Sequence, residues 1–301
     1  MNETLKSRNA YDIATGAVIN LLEQGIVPWR KPWTLAGWPK NLITGNRYRG
    51  INSILLASLN YPKNFFLTYD QVRVAGGMVR KGEEGHNVVF VKWLDREDIG
   101  TAEIQKIPLL RSYKVFNVEQ CEGLSDLPMN IFKVTDPIAA AEELYMKMPG
   151  HPEIKHVDHK VYYHPCYDFI NMPKRDSFKD NESYYGNLHH QMIHSTGSRN
   201  RLNRDENMFM SEFGQDSFSK EELTAEIGTC FLNTIAGINE KDSSYSVAYV
   251  QGWIERLKND KKLIVASAAK AQRATEYILG LIVPPEQKHE AMLKHLESIT
   301  A

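Results

Sequence analysis

Two histidines four residues apart, in the stretch NLHHQMIHSTG, have the type and spacing of metal ligands. On an α-helix, His190 and His194 face the same side, about 6 Å apart along the axis, so both imidazoles can reach one zinc ion at about 2 Å. A catalytic zinc site needs a third protein ligand, and the expected one is Glu222 in the stretch EELTAEIG. Glu226, one turn further on, is expected to hydrogen-bond a ligating histidine. The sequence therefore predicts a Zn²⁺ site, with another divalent metal as the alternative, and spacing alone leaves the opposite assignment of the two carboxylates open.

Three further histidines are weaker ligand candidates. Adjacent helix residues do not share a face, so we expect His189 to be a polar surface residue or the partner of a ligand. His159 and His164 fall in a segment predicted to form strands. An isolated H-x-x-x-H also occurs by chance, but the small-residue turn STG after the motif and the downstream glutamates favour a metal site here.

Gln191 decides which reaction this site could catalyse. In zinc hydrolases the residue at this place is Glu, which takes a proton from the metal-bound water and later delivers it to the leaving group. An amide cannot carry that proton, so we expect metal binding to survive and peptide hydrolysis to be severely reduced. Two alternatives stay open at this point, a natural pseudo-enzyme and an engineered inactive variant.

A second group of residues could contact nucleic acid. Aromatic rings stack on unpaired bases while Arg and Lys meet phosphates, and the N-terminal part of the chain interleaves the two kinds. The expected contacts are Trp29, Lys31, Trp33, Arg47, Tyr48, Arg49, Arg80 and Lys81. The alternative is that Trp29 and Trp33 anchor a core beside the two prolines and that the cations are ordinary solvated residues. Both interpretations can hold, since one tryptophan can pack while the other stacks.

The elements that must position these residues indicate an α+β fold. The hydrophobic pattern of the first half predicts helices and a strand pair, which cover 10–24, 52–60, 87–95 and 107–120. In the second half, Asp136 is expected to cap a helix that begins at Pro137. A strand hairpin, the histidine helix and three more helices follow, with the hairpin at 160–173 and the last three helices at 220–237, 247–260 and 262–280.

These elements predict two domains. We expect a small α+β domain over residues 1–130 and a mostly helical domain with a short sheet over residues 136–301. A chain of 301 residues is long enough for both to bury a core.

Composition narrows the class of protein further. The formal net charge of −1 argues against a globally basic nucleic-acid protein, so any contact with nucleic acid must come from a local patch. The three cysteines form no C-x-x-C pair, which argues against a disulfide framework and a cysteine zinc site. No apolar run approaches the length of a spanning helix and the N-terminus lacks a signal-type apolar core, so we expect a cytoplasmic protein without a membrane partner.

Two series of motifs resemble a known family. The series PW, KPW, TG, YRGIN and VRKGEEG resembles the N-terminal single-stranded DNA-binding domain of the ArdC antirestriction proteins, a domain also found at the start of TraC-type plasmid primases. The series YHP, HSTG, RLNR, EEL and AE, followed by a late Y, W, L and KA, resembles the zincin-like metallopeptidase domain that follows it in the same family. The resemblance covers nearly the whole chain, in the family's order.

The resemblance implies a protein of plasmids, phages or related mobile elements that coats incoming single-stranded DNA and protects it from host restriction. The family motif H-E-x-x-H maps onto His190, Gln191 and His194, and its E-E-L-x-A-E segment maps onto 221–226. Position 191 is the departure from the family pattern. One alternative is a DNA-dependent metalloprotease that acts on DNA-bound or host defence proteins, here as an inactive Gln variant. Another is a zincin fold that only binds host factors. The expected partners are therefore single-stranded DNA and a host restriction or other DNA-bound protein.

Overall fold

A computed structural model describes residues 9–30, 37–97, 104–124, 134–204, 216–239 and 246–282. The chain divides into two compact units. The first contains residues 1–132 and 244–266, and the second contains residues 133–243 and 267–301. The expected ranges 1–130 and 136–301 assign 244–266 to the second domain, whereas this segment groups with the first unit.

Helices and short sheets together confirm the α+β class. The helices in the described ranges are α1 (Ala10–Glu23), α2 (Ile51–Ala57), α3 (Tyr69–Val74), α4 (Pro137–Lys147), α5 (Asn181–Ser195), α6 (Asp216–Ala236), α7 (Val247–Asn259) and α8 (Leu263–Ile278). The strands there are β1 (Lys40–Asn41), β2 (Phe65–Leu67), β3 (Met78–Val79), β4 (His86–Glu97), β5 (Ile104–Asn117), β6 (Cys121–Glu122), β7 (Glu153–Lys155), β8 (Tyr162–His164) and β9 (Phe169–Asn171). None of the described helices combines the length and the apolar character that crossing a membrane would require.

The first unit is built on a sheet in the order β1, β2, β5, β4. The β1 and β2 strands are parallel, and the other neighbours are antiparallel. The long β4–β5 ladder, from the pair His86 and Val115 to the pair Glu97 and Ile104, matches the predicted strand pair. Its inner end packs on a buried cluster that includes Tyr48, Leu56, Phe66, Val88 and Val115.

Helix α7 completes the first unit although it comes late in the chain. The Thr15 hydroxyl in α1 donates a hydrogen bond to the Lys261 carbonyl just after α7, at 2.6 Å. The ring of Trp253 in α7 meets the ring of Trp29 edge-on, with 6.0 Å between the centroids. Since both rings are almost completely shielded from water, this contact is part of the core.

The second unit begins with a helix whose start the sequence predicted. Asp136 caps α4 by accepting a hydrogen bond from the Ala139 amide at 3.0 Å, and Pro137 is the first helical residue, where its missing N–H costs nothing. A small sheet in the order β7, β9, β8 follows, and its antiparallel β8–β9 pair is the predicted hairpin.

Helices α5 and α6 pack closely against one another in this unit. Asp180 caps α5 by accepting a hydrogen bond from the Ser183 amide at 2.8 Å, and Gly237, with a φ of 73°, ends α6 as predicted. Between these ends, a Cβ added at Gly228 would lie 2.6 Å from Cδ1 of Ile193. A glycine at this point therefore allows α6 to approach α5, the helix that carries the two histidines.

Candidate metal centre

Three predicted ligands converge between α5 and α6. The Nε2 atoms of His190 and His194 lie 3.1 Å apart. Oε1 of Glu222 lies 3.1 Å from Nε2 of His190, and its Oε2 lies 3.5 Å from Nε2 of His194. The helical spacing of the histidines and the packing of α6 on α5 together produce this arrangement.

The arrangement fits a divalent cation. Four ligands at about 2.0 Å from a tetrahedral ion are about 3.3 Å from one another, which is close to the three separations of 3.1, 3.1 and 3.5 Å. Two imidazole nitrogens and a carboxylate oxygen are also donors that zinc accepts in proteins. The side chains are partly exposed, by 21% for His190, 13% for His194 and 29% for Glu222, so the site is open to solvent.

The opposite ring nitrogens of the two histidines face side chains of α6. Oε1 of Glu221 lies 3.7 Å from Nδ1 of His194, and Oγ1 of Thr229 lies 3.5 Å from Nδ1 of His190. A bound metal would need both imidazoles neutral with the hydrogen on Nδ1, which is the nitrogen that faces Glu221 in His194 and Thr229 in His190.

Glu221 lies beside the candidate site, and the sequence did not single it out. Its carboxylate is buried in an ion pair with Arg204, whose Nε lies 3.2 Å from Oε2. Burial favours the neutral acid, but Arg204 and His194 outweigh it and lower the pKa of Glu221 to about 2. A fixed negative charge therefore lies beside Nδ1 of His194. The adjacent glutamates at 221 and 222 were the available signal, but spacing alone could not show which faces the histidine.

Carboxylates also control the charge of the metal-free site. Burial would lower the pKa of His194, but Glu221 and Glu222 outweigh it and raise that pKa to about 9. Burial likewise opposes ionisation of Glu222, whereas His190 and His194 hold the pKa of this carboxyl far below its usual range. The site thus has its ligand carboxylate already ionised.

Gln191 and Glu226 are both largely buried. Gln191 follows His190 in α5 and is 8% exposed, and its amide has no proton that titrates near neutral pH. Glu226 is 4% exposed and lies one turn after Glu222 in α6. Its predicted hydrogen bond to a ligating histidine stays a prediction, whereas the contacts described above come from Glu221 and Thr229.

The other histidines lie apart from the cluster. The expectation that His189 is a surface residue or the partner of a ligand is wrong, since its ring is fully buried and its Nδ1 lies 2.6 Å from Oδ1 of Asn233. Burial lowers its pKa to about 4. His164 stacks on Phe169, with 5.2 Å between the ring centroids, and His159 is exposed. Among the described residues, the group able to hold a metal consists of His190, His194 and Glu222.

Two of the aromatic residues expected to contact nucleic acid belong to the core instead. Trp29 is fully buried against Trp253, so its ring has no face available for a base. Tyr48 is 8% exposed and meets the ring of Phe66 edge-on at 6.1 Å, and burial raises its pKa to about 12. The core alternative stated for Trp29 therefore holds, and Tyr48, for which no such alternative was stated, is also buried.

The expected cations lie on the surface where they are described. Arg47 is exposed, and its guanidinium lies 5.8 Å from the centroid of the Trp38 ring. Arg80 is exposed and pairs with Glu83 at 3.2 Å. Because the Glu83 carboxylate offsets its charge, Arg80 attracts a phosphate less strongly than an unpaired arginine would.

The remaining four expected contacts divide into two groups. Arg49 and Lys81 are exposed. Lys31 and Trp33 lie outside the described residues, so their expected role stays a prediction. No cluster that combines all eight expected contacts is therefore established among the described residues.

Comparison with known proteins assigns the two parts of the chain to two family matches, and the second match includes α7. Residues 8–116 match the N-terminal domain of anti-restriction factor ArdC, and residues 139–270 match the zincin-like metallopeptidase family. The metal-free crystal structure of the antirestriction ArdC protein from the R388 plasmid is 35% identical, with a TM-score of 0.72, and the alignment covers 89% of this chain and 96% of that one. This chain belongs to the ArdC antirestriction family. The resemblance seen in the motifs is thereby confirmed.

A second structure of the R388 protein and one further relative extend the comparison. The Mn(II)-bound structure of the R388 ArdC protein is also 35% identical, with a TM-score of 0.72, and covers 91% of this chain and 98% of that one. An Escherichia coli protein named DNA primase TraC is 30% identical over 90% of this chain, which spans only 20% of the length of that relative. The zincin-like fold indicates a divalent metal, while its identity as zinc stays a prediction.

Proposed function

We propose that this chain is an antirestriction-type protein of a mobile element that binds single-stranded DNA through its first unit and holds a divalent metal in its second. Hydrolysis by the metal site is severely reduced because Gln191 stands where the family motif has Glu. The observation that carries the proposal is the convergence of His190, His194 and Glu222 in a chain of the ArdC family.

The metal would be held by Nε2 of both histidines and by the carboxylate of Glu222. Zinc is the proposed ion because it favours two imidazoles and one carboxylate in open sites, and Mn(II) in the R388 relative supports a site that accepts other divalent ions. When bound, such an ion supplies a Lewis acid that polarises a carbonyl and acidifies water. Glu221 orients the imidazole of His194, and the side chain of Gln191 supplies a neutral amide where a base would be needed.

Replacement of Gln191 by Glu tests the hydrolytic part of the proposal. The two side chains have nearly the same shape, so Gln191→Glu introduces a general base with little change in packing. We expect the variant to cleave casein or a DNA-bound protein at least about 100-fold faster than the original chain, since general bases contribute about 10² to 10⁴. The matched control is the double variant that also carries His194→Ala, which lacks a metal ligand and is expected to be inactive.

The openness of the site favours a second candidate function. A DNA-dependent metalloprotease, here as an inactive Gln variant, would need ligands that solvent and substrate can reach, and the three ligand side chains are 13% to 29% exposed. The same assays with and without single-stranded DNA separate the two candidates. Cleavage by Gln191→Glu only when DNA is present favours the protease. If Gln191→Glu cleaves nothing although it holds metal, the protease candidate fails.

Binding of single-stranded DNA has its own test. The net charge of −1 requires a local cationic patch, and exposed Arg47, Arg49 and Lys81 support one on the first unit. Phosphate contacts release counterions, so the affinity for a single strand is expected to fall as the salt concentration rises. A mobility-shift titration measures this with single-stranded and duplex oligonucleotides of one length. Preference for the duplex, or an affinity independent of salt, would contradict the proposal.

A further inference from the structure

The outer part of the β4–β5 hairpin carries two exposed aromatic rings beside a cation. Phe90 in β4 is 41% exposed and Tyr113 in β5 is 40% exposed. Their rings meet at an interplanar angle of 65°, with 5.5 Å between the centroids. We propose that this pair, together with Arg111, is the platform on which bases of single-stranded DNA stack, an inference that rests on the proposed DNA binding.

The register of the two strands explains why these side chains share one face. Phe90 pairs directly with Arg111, and Val88 pairs with Tyr113. Directly opposed residues project to the same side of a sheet, and so do residues two apart along a strand. The face therefore presents Phe90, Arg111 and Tyr113 together.

The hydrophobic core anchors the strand segments next to this surface. Val88 and Val115, which lie on the same face one step inwards, are fully buried in the cluster that contains Tyr48. Strand side chains on a regular ladder are also less mobile than those on a loop. Two rings on such a rigid support lose little conformational freedom when a ligand binds, which favours stacking.

The charges near the two rings favour a nucleic acid as the ligand. Over residues 86–90 and 110–117, the parts of the two strands whose side chains are described, the cations are Arg111 and Lys114, and no Asp or Glu is present. Arg111 is exposed directly across from Phe90. A purely apolar protein partner would have no use for this cation, whereas a nucleotide offers a base to the rings and a phosphate to the guanidinium.

Phe90 and Tyr113 are exposed, whereas two aromatic residues predicted to stack on bases are buried. The sequence pointed to Trp29 and Tyr48 as stacking residues, and both are buried. Stacking on the described part of the first unit therefore needs rings with an exposed face. Phe90 and Tyr113 provide two such rings in contact with one another, which a run of successive bases can use.

Substitution of both rings tests the platform. Fluorescence anisotropy of labelled oligothymidylate would compare the full chain, the double variant Phe90→Ala with Tyr113→Ala, and the control Tyr167→Ala. Tyr167 is 76% exposed on the second unit, so its loss removes an exposed ring elsewhere. We expect the double variant to bind at least about tenfold more weakly and the control to bind as the full chain does, because a base stacked on a ring is worth about that factor or more.

A charge variant adds a second readout. Arg111→Gln is expected to reduce the slope of log affinity against log salt by about 0.7, the value for one phosphate contact on a single strand. A merely structural arginine would leave the slope unchanged, so an unchanged slope overturns the assignment of Arg111.

The outcomes separate this inference from the proposed function. If the full chain does not bind oligothymidylate, the proposed DNA binding fails. If the full chain binds and the double alanine variant binds equally well, the platform is wrong while DNA binding stands. Should the alanine variant lose its thermal unfolding transition, Phe90→Leu with Tyr113→Leu keeps apolar bulk without rings and decides the question in the same way.

Discussion

Glu221 and Glu222 are neighbours in the chain but contact different sides of the same imidazole. Successive helix residues point about 100° apart, so only one of them can face the space between the two Nε2 atoms. Glu222 takes that position, and Glu221 lies beside Nδ1 of His194 while it is paired with Arg204. One residue therefore completes the proposed ligand set, and the other lies where it can orient a proposed ligand.

Replacement of Glu221 by Gln tests the orienting role. The variant keeps the size of the side chain but removes the charge that holds His194 and neutralises Arg204. We expect metal affinity to fall by about 10- to 100-fold, the usual cost of losing such a partner. Competition with a chromophoric chelator measures the affinity. The control is Glu153→Gln, an exposed carboxylate in the same unit, and equal affinities for both variants would contradict the role of Glu221.

At this scale the sequence indicates candidate ligands more directly than the residues that lie beside them. The spacing of His190 and His194 is local, and a helix fixes which face they share. The residue that faces Nδ1 of His194 depends on where α6 crosses α5, and this crossing point cannot be read from residue spacing. Helical periodicity favours Glu226 as a partner, which stays a prediction, and the described carboxylate beside Nδ1 of His194 belongs to Glu221.

At the scale of elements, the close approach of α6 to α5 depends on one glycine. A helix interior normally disfavours glycine by about 1 kcal/mol relative to alanine, so a glycine there indicates a packing requirement. At Gly228 the neighbour is Ile193, whose side chain is fully buried. A substituted Cβ would come within 2.6 to 3.0 Å of three of its atoms.

We predict that Gly228→Ala destabilises the second unit. Overpacking of about 1 to 3 kcal/mol is expected to outweigh the gain in helix propensity of up to about 1 kcal/mol. Gly252→Ala, in α7, is the matched control because a Cβ there would meet no atom within 4 Å, and it is expected to be neutral or stabilising. Urea unfolding measures both free energies. A stabilised Gly228→Ala variant would show that α5 and α6 are not closely packed here.

Element boundaries were predictable where local chemistry sets them. Asp136 and Pro137 begin α4, and Gly25 and Gly237 follow the ends of α1 and α6 with positive φ angles of 77° and 73°. Capping and chain reversal are properties of a few adjacent residues, so the sequence contains them. The β4–β5 pairing was also predictable, because its strands are neighbours along the chain and rich in β-branched and aromatic residues.

At the scale of the whole molecule, the order of elements along the chain did not predict that α7 packs in the first unit. The expected division treats everything after residue 136 as one domain, since consecutive elements are usually neighbours in space. The amphipathic pattern of α7 predicts a buried face but not which core covers it. That choice depends on Trp29, more than two hundred residues earlier in the chain, which forms its edge-on contact with Trp253.

Trp253→Ala is expected to destabilise the first unit although the residue lies late in the sequence. Loss of a buried tryptophan in a well-packed core costs about 3 to 5 kcal/mol. Val247→Ala, at a residue that is 72% exposed in the same helix, should change little. Urea unfolding of both variants, with metal content measured in parallel, checks the assignment. A Trp253→Ala chain that keeps its stability but loses its metal would place α7 with the other unit.

The most direct test of the account is the metal content of the purified chain, grown with zinc and measured by mass spectrometry of the elements. We expect about one divalent ion per chain, nearly none in His194→Ala or Glu222→Ala, and an unchanged content in the control His164→Ala. A full chain without stoichiometric metal, or a His194→Ala chain that retains it, would contradict the site formed by α5 and α6.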